Sequence, residues 1–379
     1  MTLSIPQPMF DSIYSKSANN FFTVPIKPLS TIDNLEQPMA FLHTFLYAFR
    51  NNIQGLDSLD RDHWNNLQNY QESIFVYENC SEPTDYITLA KTFKDLVSTH
   101  KISPNQIYII VADEIQASML KIELTKYKLD DIHIDYLAKC LLATKIPAFS
   151  NQIPSVKFSL MSRRYVEDRL LLLCELVKNN LIDDFAYSFH NTNPYFKQVT
   201  NIDVLNLPLQ YQTDEIGKWV KGIPYYVNNE YDNYMEQFSD KMYNAILQSN
   251  IHIVIETMYH ETIYRYSREN IVPWITEKTY KAIACKKIFL CYSMPGTLTT
   301  LKKMGFKTFD HVIDESYDSI LDPTERRTIL VKEIKRLAGL NLHNLEELSK
   351  DIVEHNFNLL LEKKTKQWNQ EFRKIGIFK

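Results

Sequence analysis

Short apolar runs alternate with amphipathic stretches along most of this chain. Ser73–Tyr77 and Gln106–Val111 read as buried strands, each followed by a polar turn and a segment of helical periodicity. A second set begins at Val156. Val156–Met161 is strand-like, Arg169–Asn179 has the apolar spacing of a helix, and Asp184–Ser188 is strand-like again. An irregular stretch rich in Tyr and Asn (191–235) leads to a helix over Met235–Leu247 and a central-type strand over His252–Glu256. Then come a helix over Glu277–Cys285, a strand over Ile288–Tyr292, a Pro295-Gly296 turn and a helix over Thr297–Met304. From Pro323 onward the pattern is helical.

Strands that alternate with helices predict parallel sheets covered on both faces. A length of 379 residues, 45% of them hydrophobic, is enough to fill two ordinary cores. The expected organisation is two Rossmann-like α/β domains facing a cleft, residues 1–150 and 151–345, joined through the proline-flanked segment Ile146–Pro154. A helical region, 346–379, follows, and its amphipathic part Lys350–Phe372 is long enough to return onto the N-terminal domain.

Composition narrows the chemistry. Only seven glycines occur, none in a GxGxxG or Walker loop, which disfavours a dinucleotide dehydrogenase or a P-loop kinase. Cys80, Cys140, Cys174, Cys285 and Cys291 are scattered and form no close pair, so reduced thiols are expected rather than disulfides or a zinc cluster. A net charge of −4 gives no general attraction to a polyanion. The basic tail Glu362–Lys379 reads as a solvated helix end. No run approaches the ~20 apolar residues of a membrane helix, and Met1–Phe10 lacks the features of a secretion signal, so a cytoplasmic protein is expected.

Ligands of open α/β sheets bind beyond the carboxyl ends of the strands. Three such ends are unusually polar: Ser162 to Tyr165 with Arg164, and Arg169 one helical turn onward; Glu256-Thr257; and Ser293–Thr297 around Gly296. Their convergence would make an anion-binding crevice. Sharpest is Ile275–Lys281, where Thr276 is a good helix cap, Glu277 and Lys278 fall in the first turn, and Lys278 and Lys281 share a face. A carboxylate there can accept both hydroxyls of a ribose, while an ammonium and free helix N–H groups meet a diphosphate. The plainer alternative is that Glu277 only complements the helix dipole and Lys281 is a surface residue.

The segments Val254–Thr257, Trp274–Lys278 and Phe289–Gly296 together resemble the donor-binding half of GT-B glycosyltransferases such as the α-1,3-fucosyltransferases. Gly305–Phe309, followed by Asp314–Asp318, resembles glycosyltransferase-like proteins of tailed phages and large viruses. The resemblance spans residues 156–330. It implies a GT-B fold, Glu277 on the ribose, Lys278 at the diphosphate, and Arg164 or Arg169 as the basic residue after the first donor-domain strand. Gly296 would open a helix facing the phosphates. Where the family carries a small-residue pair after the Thr-Glu-Lys helix, this chain has Cys285, Lys286 and Lys287.

An inverting transfer needs a general base near the acceptor hydroxyl. Asp113, Glu114 and Glu78 stand at strand ends in the first half, where each could equally cap a helix; His63 and His190 rank lower. The acidic group Asp314–Asp318 reads as structural, and no metal or cofactor is expected besides a nucleoside-diphosphate sugar as co-substrate. Transfer to an acceptor hydroxyl is therefore the leading expectation, with hydroxymethylated pyrimidine in phage DNA suggested by the phage-like string. A glycan, a protein side chain or a small metabolite stays open as acceptor. The competing reading is a non-catalytic interaction protein that keeps the scaffold.

Overall fold

The computed structural model describes residues 24–25, 73–79, 86–100, 103–111, 113–136, 138–149, 153–162, 165–190, 202, 204–225, 240–257, 259 and 273–374. The chain divides into two compact units, Met1–Lys139 and Cys140–Lys379. That division falls inside a short helix, Lys139–Ala143, ahead of the expected linker at Ile146–Pro154.

In the first unit, β2 (Ser73–Asn79), β3 (Ile107–Val111) and β4 (His133–Tyr136) pair in parallel, and the two-residue β1 (Val24–Pro25) runs antiparallel to β2. Parallel neighbours need a crossover, supplied by α1 (Tyr86–His100) between β2 and β3 and by α2 (Glu114–Lys126) between β3 and β4. Ile107, Ile109 and Val111 of β3 are fully buried, and Leu120 and Leu124 of α2 are buried with them. β4 is absent from the sequence reading because it alternates polar with apolar residues over only four positions; pairing with Tyr108–Val111 defines it.

The second unit begins in α3 (Lys139–Ala143) and continues through β5 (Val156–Ser162), α4 (Glu167–Lys178), β6 (Phe185–Phe189), α5 (Asp214–Lys221), α6 (Asp240–Leu247), β7 (Ser249–Ile255), α7 (Glu277–Ala284), β8 (Ile288–Tyr292), α8 (Thr297–Lys303), α9 (Pro323–Ala338) and α10 (Leu342–Lys374). All its strand pairings are parallel, in the order β6-β5-β7-β8. From β5 the chain steps outward to β6 and then returns past β5 to β7. This reversal is a topological switch point, which opens a crevice beyond the carboxyl ends of β5 and β7. Every residue of β8 is buried although the strand is last in the described order. Both faces of β8 are therefore covered, as a continuous apolar strand requires.

Helices α4, α5 and α9 pack together, while α10 lies on α7, β7 and β8. The Asn356 side chain on α10 brackets the Lys307 backbone, accepting from its N–H and donating to its carbonyl, both at 2.8 Å. Lys286, after α7, pairs with Glu354 of α10 at 2.7 Å. The long C-terminal helix is thus bound into the second unit along its first two-thirds. Among the described residues no helix is long and apolar enough to cross a membrane.

Candidate functional site

The two strand ends that flank the switch point are tied together by one cation. Arg169, in the first turn of α4, is buried; its Nη2 donates to the Glu256 carbonyl at 3.2 Å and its Nη1 approaches Ser162 Oγ at 3.5 Å. Ser162 ends β5 and Glu256 follows β7. Tyr292, which ends β8, donates from its hydroxyl to the Asp168 carbonyl at 2.9 Å, so the first turn of α4 is also held from a third strand end.

Glu256 organises the start of α7. Its carboxylate is buried and accepts from Thr276 N at 3.1 Å, Thr276 Oγ1, Thr279 Oγ1 at 2.6 Å and Thr257 N at 3.2 Å. A buried charge is tolerable only when hydrogen-bonded this fully. Thr276 in turn caps α7, its Oγ1 accepting from Lys278 N at 3.3 Å. Sequence reasoning finds Thr276 by its capping character and misses Thr279; a threonine three residues on along one helix face was the available signal.

With its first turn fixed, α7 presents Glu277, whose side chain is 16% exposed. Lys278 Nζ lies 2.9 Å from Glu277 Oε1 and also donates to Thr257 Oγ1 at 2.9 Å and Thr276 Oγ1 at 3.3 Å. Burial pushes the Glu277 carboxyl up, but the Lys278 and Lys281 ammoniums beside it prevail and hold it at about 2. Lys281, one turn on, is buried; loss of water lowers its ammonium to about 8 even though the Glu277 charge favours the proton. His252 on β7 is driven down to about 3 by burial first and then by Lys281, and is a neutral ring with Nδ1 2.8 Å from Ser159 Oγ. Glu277, Lys278 and Lys281 are thus brought together, and Lys281 is no surface residue.

Two further side chains line this neighbourhood without a sequence signal. Burial, then the Glu277 charge, raises the Cys140 thiol, on α3, to about 12. Tyr243 on α6 accepts from Lys145 N at 2.9 Å, and burial, with smaller contributions from Cys285 and Glu277, raises its phenol. Both come from elements more than thirty residues away in sequence.

Gly296 caps α8 with φ of +81°, a left-handed backbone that glycine adopts freely. The amides that follow are already used: Asp318 accepts from Leu298 N at 2.9 Å and Thr299 N at 3.2 Å. A Cβ at Gly296 would meet Pro273 Cγ at an ordinary 3.7 Å. Gly296→Ala should therefore cost backbone strain alone, about 1 kcal/mol, which lowers the melting temperature of a unit this size by about 2–4 °C in a thermal melt.

The remaining acidic candidates have local work. Glu315 accepts from Thr308 Oγ1 at 2.8 Å and Phe309 N at 2.9 Å, and Asp314 accepts from Ser316 N at 3.0 Å. Among the described residues no group of three or more His, Cys, Asp or Glu is placed to hold a metal ion. In the first unit, Asp113 caps α2 by accepting from Gln116 N at 2.8 Å, and burial raises its carboxyl to about 6 against the pull of the Gln116 and Ile115 amides. Glu114 is exposed in the same turn, and Glu78 stands in β2 opposite Ile110. His190 is buried, its N–H donating to the Ser162 carbonyl at 3.2 Å. Arg164 and His63 lie outside the described residues.

Compared with known proteins, the sequence matches no family model and no curated protein. Among solved structures the chain shows a distant likeness. One neighbour is the crystal structure of the DNA modifying enzyme beta-glucosyltransferase, in the presence and absence of the substrate uridine diphosphoglucose; identity is 10%, TM-score 0.32, and the alignment covers 82% of this chain and 84% of that one. A likeness at this level leaves the functional reading to the chain's own residues.

Proposed function

We propose that this chain is a GT-B glycosyltransferase that moves a sugar from a nucleoside-diphosphate sugar to an acceptor hydroxyl, with the donor held in the second unit. The observation that carries the reading is an ionised carboxylate, Glu277, on the first turn of α7 beside two ammoniums, Lys278 and Lys281. With its carboxyl held at about 2, Glu277 is an acceptor for two ribose hydroxyls at any physiological pH. Lys278 and Lys281 supply positive charge where a departing diphosphate develops its negative charge, a stabilisation that calls for no metal. Glu256, Thr276, Thr279 and Arg169 are positioning residues in this scheme: they fix the loop and helix start from which Glu277 projects.

Thermal melts against UDP-, GDP-, ADP- and CMP-sugars test the donor. A ligand at about 100 times its dissociation constant adds ~2.7 kcal/mol, so one of the four should raise the melting temperature by about 5–10 °C. Stabilisation by none of them would count against the proposal. For the acceptor, the proposal is a hydroxymethylated pyrimidine in DNA. Incubation with donor and modified or unmodified DNA, followed by nucleoside masses, should show a hexose or pentose increment only with the modified DNA.

As general base we propose Asp113. Its carboxyl is protonated below about 6 and ionised above it, and only the ionised form removes a proton. The expected kcat/KM therefore rises tenfold per pH unit below about 6 and levels off above it. In Asp113→Asn both the rise and turnover should be lost, by about 10²–10⁴-fold. A profile with no inflection near pH 6 in the unaltered protein would exclude Asp113 from this role.

One observation favours a second reading. Lys278 is already shared among Glu277, Thr257 and Thr276, an arrangement that also suits a scaffold with no reaction to perform. A non-catalytic interaction protein would bind a nucleotide without turning over any donor, and the same assays separate the two readings.

A further inference from the structure

The C-terminal helix reaches the Glu277 neighbourhood through one lysine. Lys364 of α10 donates from Nζ to the carbonyls of Leu141 at 3.0 Å, Leu142 at 2.7 Å and Thr144 at 2.7 Å. These are the carbonyls at the end of α3; Leu141 O also accepts from Thr144 N at 3.2 Å, and Lys364 adds a donor at each of the three. A helix of five residues cannot hold itself. A cation at its carboxyl end satisfies those oxygens and complements its dipole. The same turn is braced by Thr144 Oγ1 donating to the Cys140 carbonyl at 2.8 Å and by Lys145 N donating to Tyr243. Tyr243 packs with Cys285, the C-cap of α7, so the line of contact runs from α10 through the end of α3 and Tyr243 to the helix that carries Glu277.

We infer that Lys364 is a positioning residue for the donor site, fixing the end of α3, and through it Tyr243, against the helix that carries Glu277. The inference rests on the reading of Glu277 as the donor ligand. Burial works against a charged Lys364, lowering its ammonium to about 8. The three carbonyls are what oppose that cost. Methionine at this position keeps the aliphatic stem and removes every donor, whereas arginine keeps donors and charge.

The test is made on the full chain with K364M and K364R. Iodoacetamide alkylation of each cysteine, resolved by peptide mass, reports on α3 without any donor present. In K364M, Cys140 should react about tenfold faster while Cys174, Cys285 and Cys291 keep their rates, as expected of a local opening. K364R should return Cys140 to the original rate. Titration with UDP, GDP, ADP and CDP in a calorimeter should then show the bound nucleotide weakened about tenfold in K364M and restored in K364R. An unchanged Cys140 rate in K364M overturns the inference, and so does equal acceleration of Cys140, Cys174, Cys285 and Cys291, which would mean general loosening. If the unaltered protein binds none of the four nucleotides, the donor reading fails and the positioning role falls with it, whatever the thiols do.

Discussion

Glu256→Ala should destabilise the second unit by about 3–5 kcal/mol, because it removes a buried charged acceptor and strands the donors around it. Thr276 N, Thr276 Oγ1, Thr279 Oγ1 and Thr257 N all lose their acceptor at once, and three of them belong to the start of α7. For a unit of this size, that loss corresponds to a fall in melting temperature of about 6–20 °C. Glu256→Gln keeps the shape and one carbonyl acceptor, and the threonine hydroxyls can rotate to accept from the new amide. It should recover about half of the loss. A melting temperature for Glu256→Ala within about 2 °C of the unaltered protein would mean that Glu256 does not hold the helix start.

This role was only partly open to sequence reasoning. Glu256 is recognisable as a polar residue closing a strand, and Thr276 as a helix cap, but the hydrogen bonds that join them span twenty residues of sequence. In the second sheet Ile288–Tyr292 was the most legible strand, because burial on both faces makes it a continuous apolar run. Helix starts with a local cap, such as Thr276 before Glu277, were legible for a similarly local reason. What stayed hidden was set by distant partners. Asp318 reaches back twenty residues to take the first amides of α8, so the glycine-opened helix has less to offer a phosphate than its sequence implied. Lys364 reads as part of a solvated basic tail, yet its half-buried ammonium is bonded to three carbonyls at the end of α3. The burial of Lys281 likewise depends on packing that no helical spacing displays.

The second large effect concerns Glu277 itself. Glu277→Ala removes the carboxylate that Lys278 and Lys281 now face, leaving two neighbouring ammoniums without their common counter-charge. In the unliganded protein the change should cost about 1–3 kcal/mol, since the Glu277–Lys278 pair is mostly buried and the buried Lys281 loses a neighbouring counter-charge. On the donor the effect should be large. Two charge-assisted hydrogen bonds to a ribose are lost, each about 1.5–3 kcal/mol, so kcat/KM should fall by about 10²–10⁴-fold. A loss of melting temperature as large as that of Glu256→Ala, with donor use intact, would make Glu277 a structural residue and not a ligand.

The most direct test of the central claim compares nucleoside diphosphates that differ only in the ribose hydroxyls. Whichever of UDP, GDP, ADP or CDP binds is titrated by calorimetry against its 2′,3′-dideoxy analogue, in the unaltered protein and in Glu277→Gln. If Glu277 grips the diol, removing both hydroxyls should weaken binding by about 10²-fold in the unaltered protein and by less than about threefold in Glu277→Gln, where the strong acceptor is already gone. Equal affinity for the two nucleotides in the unaltered protein would contradict the account.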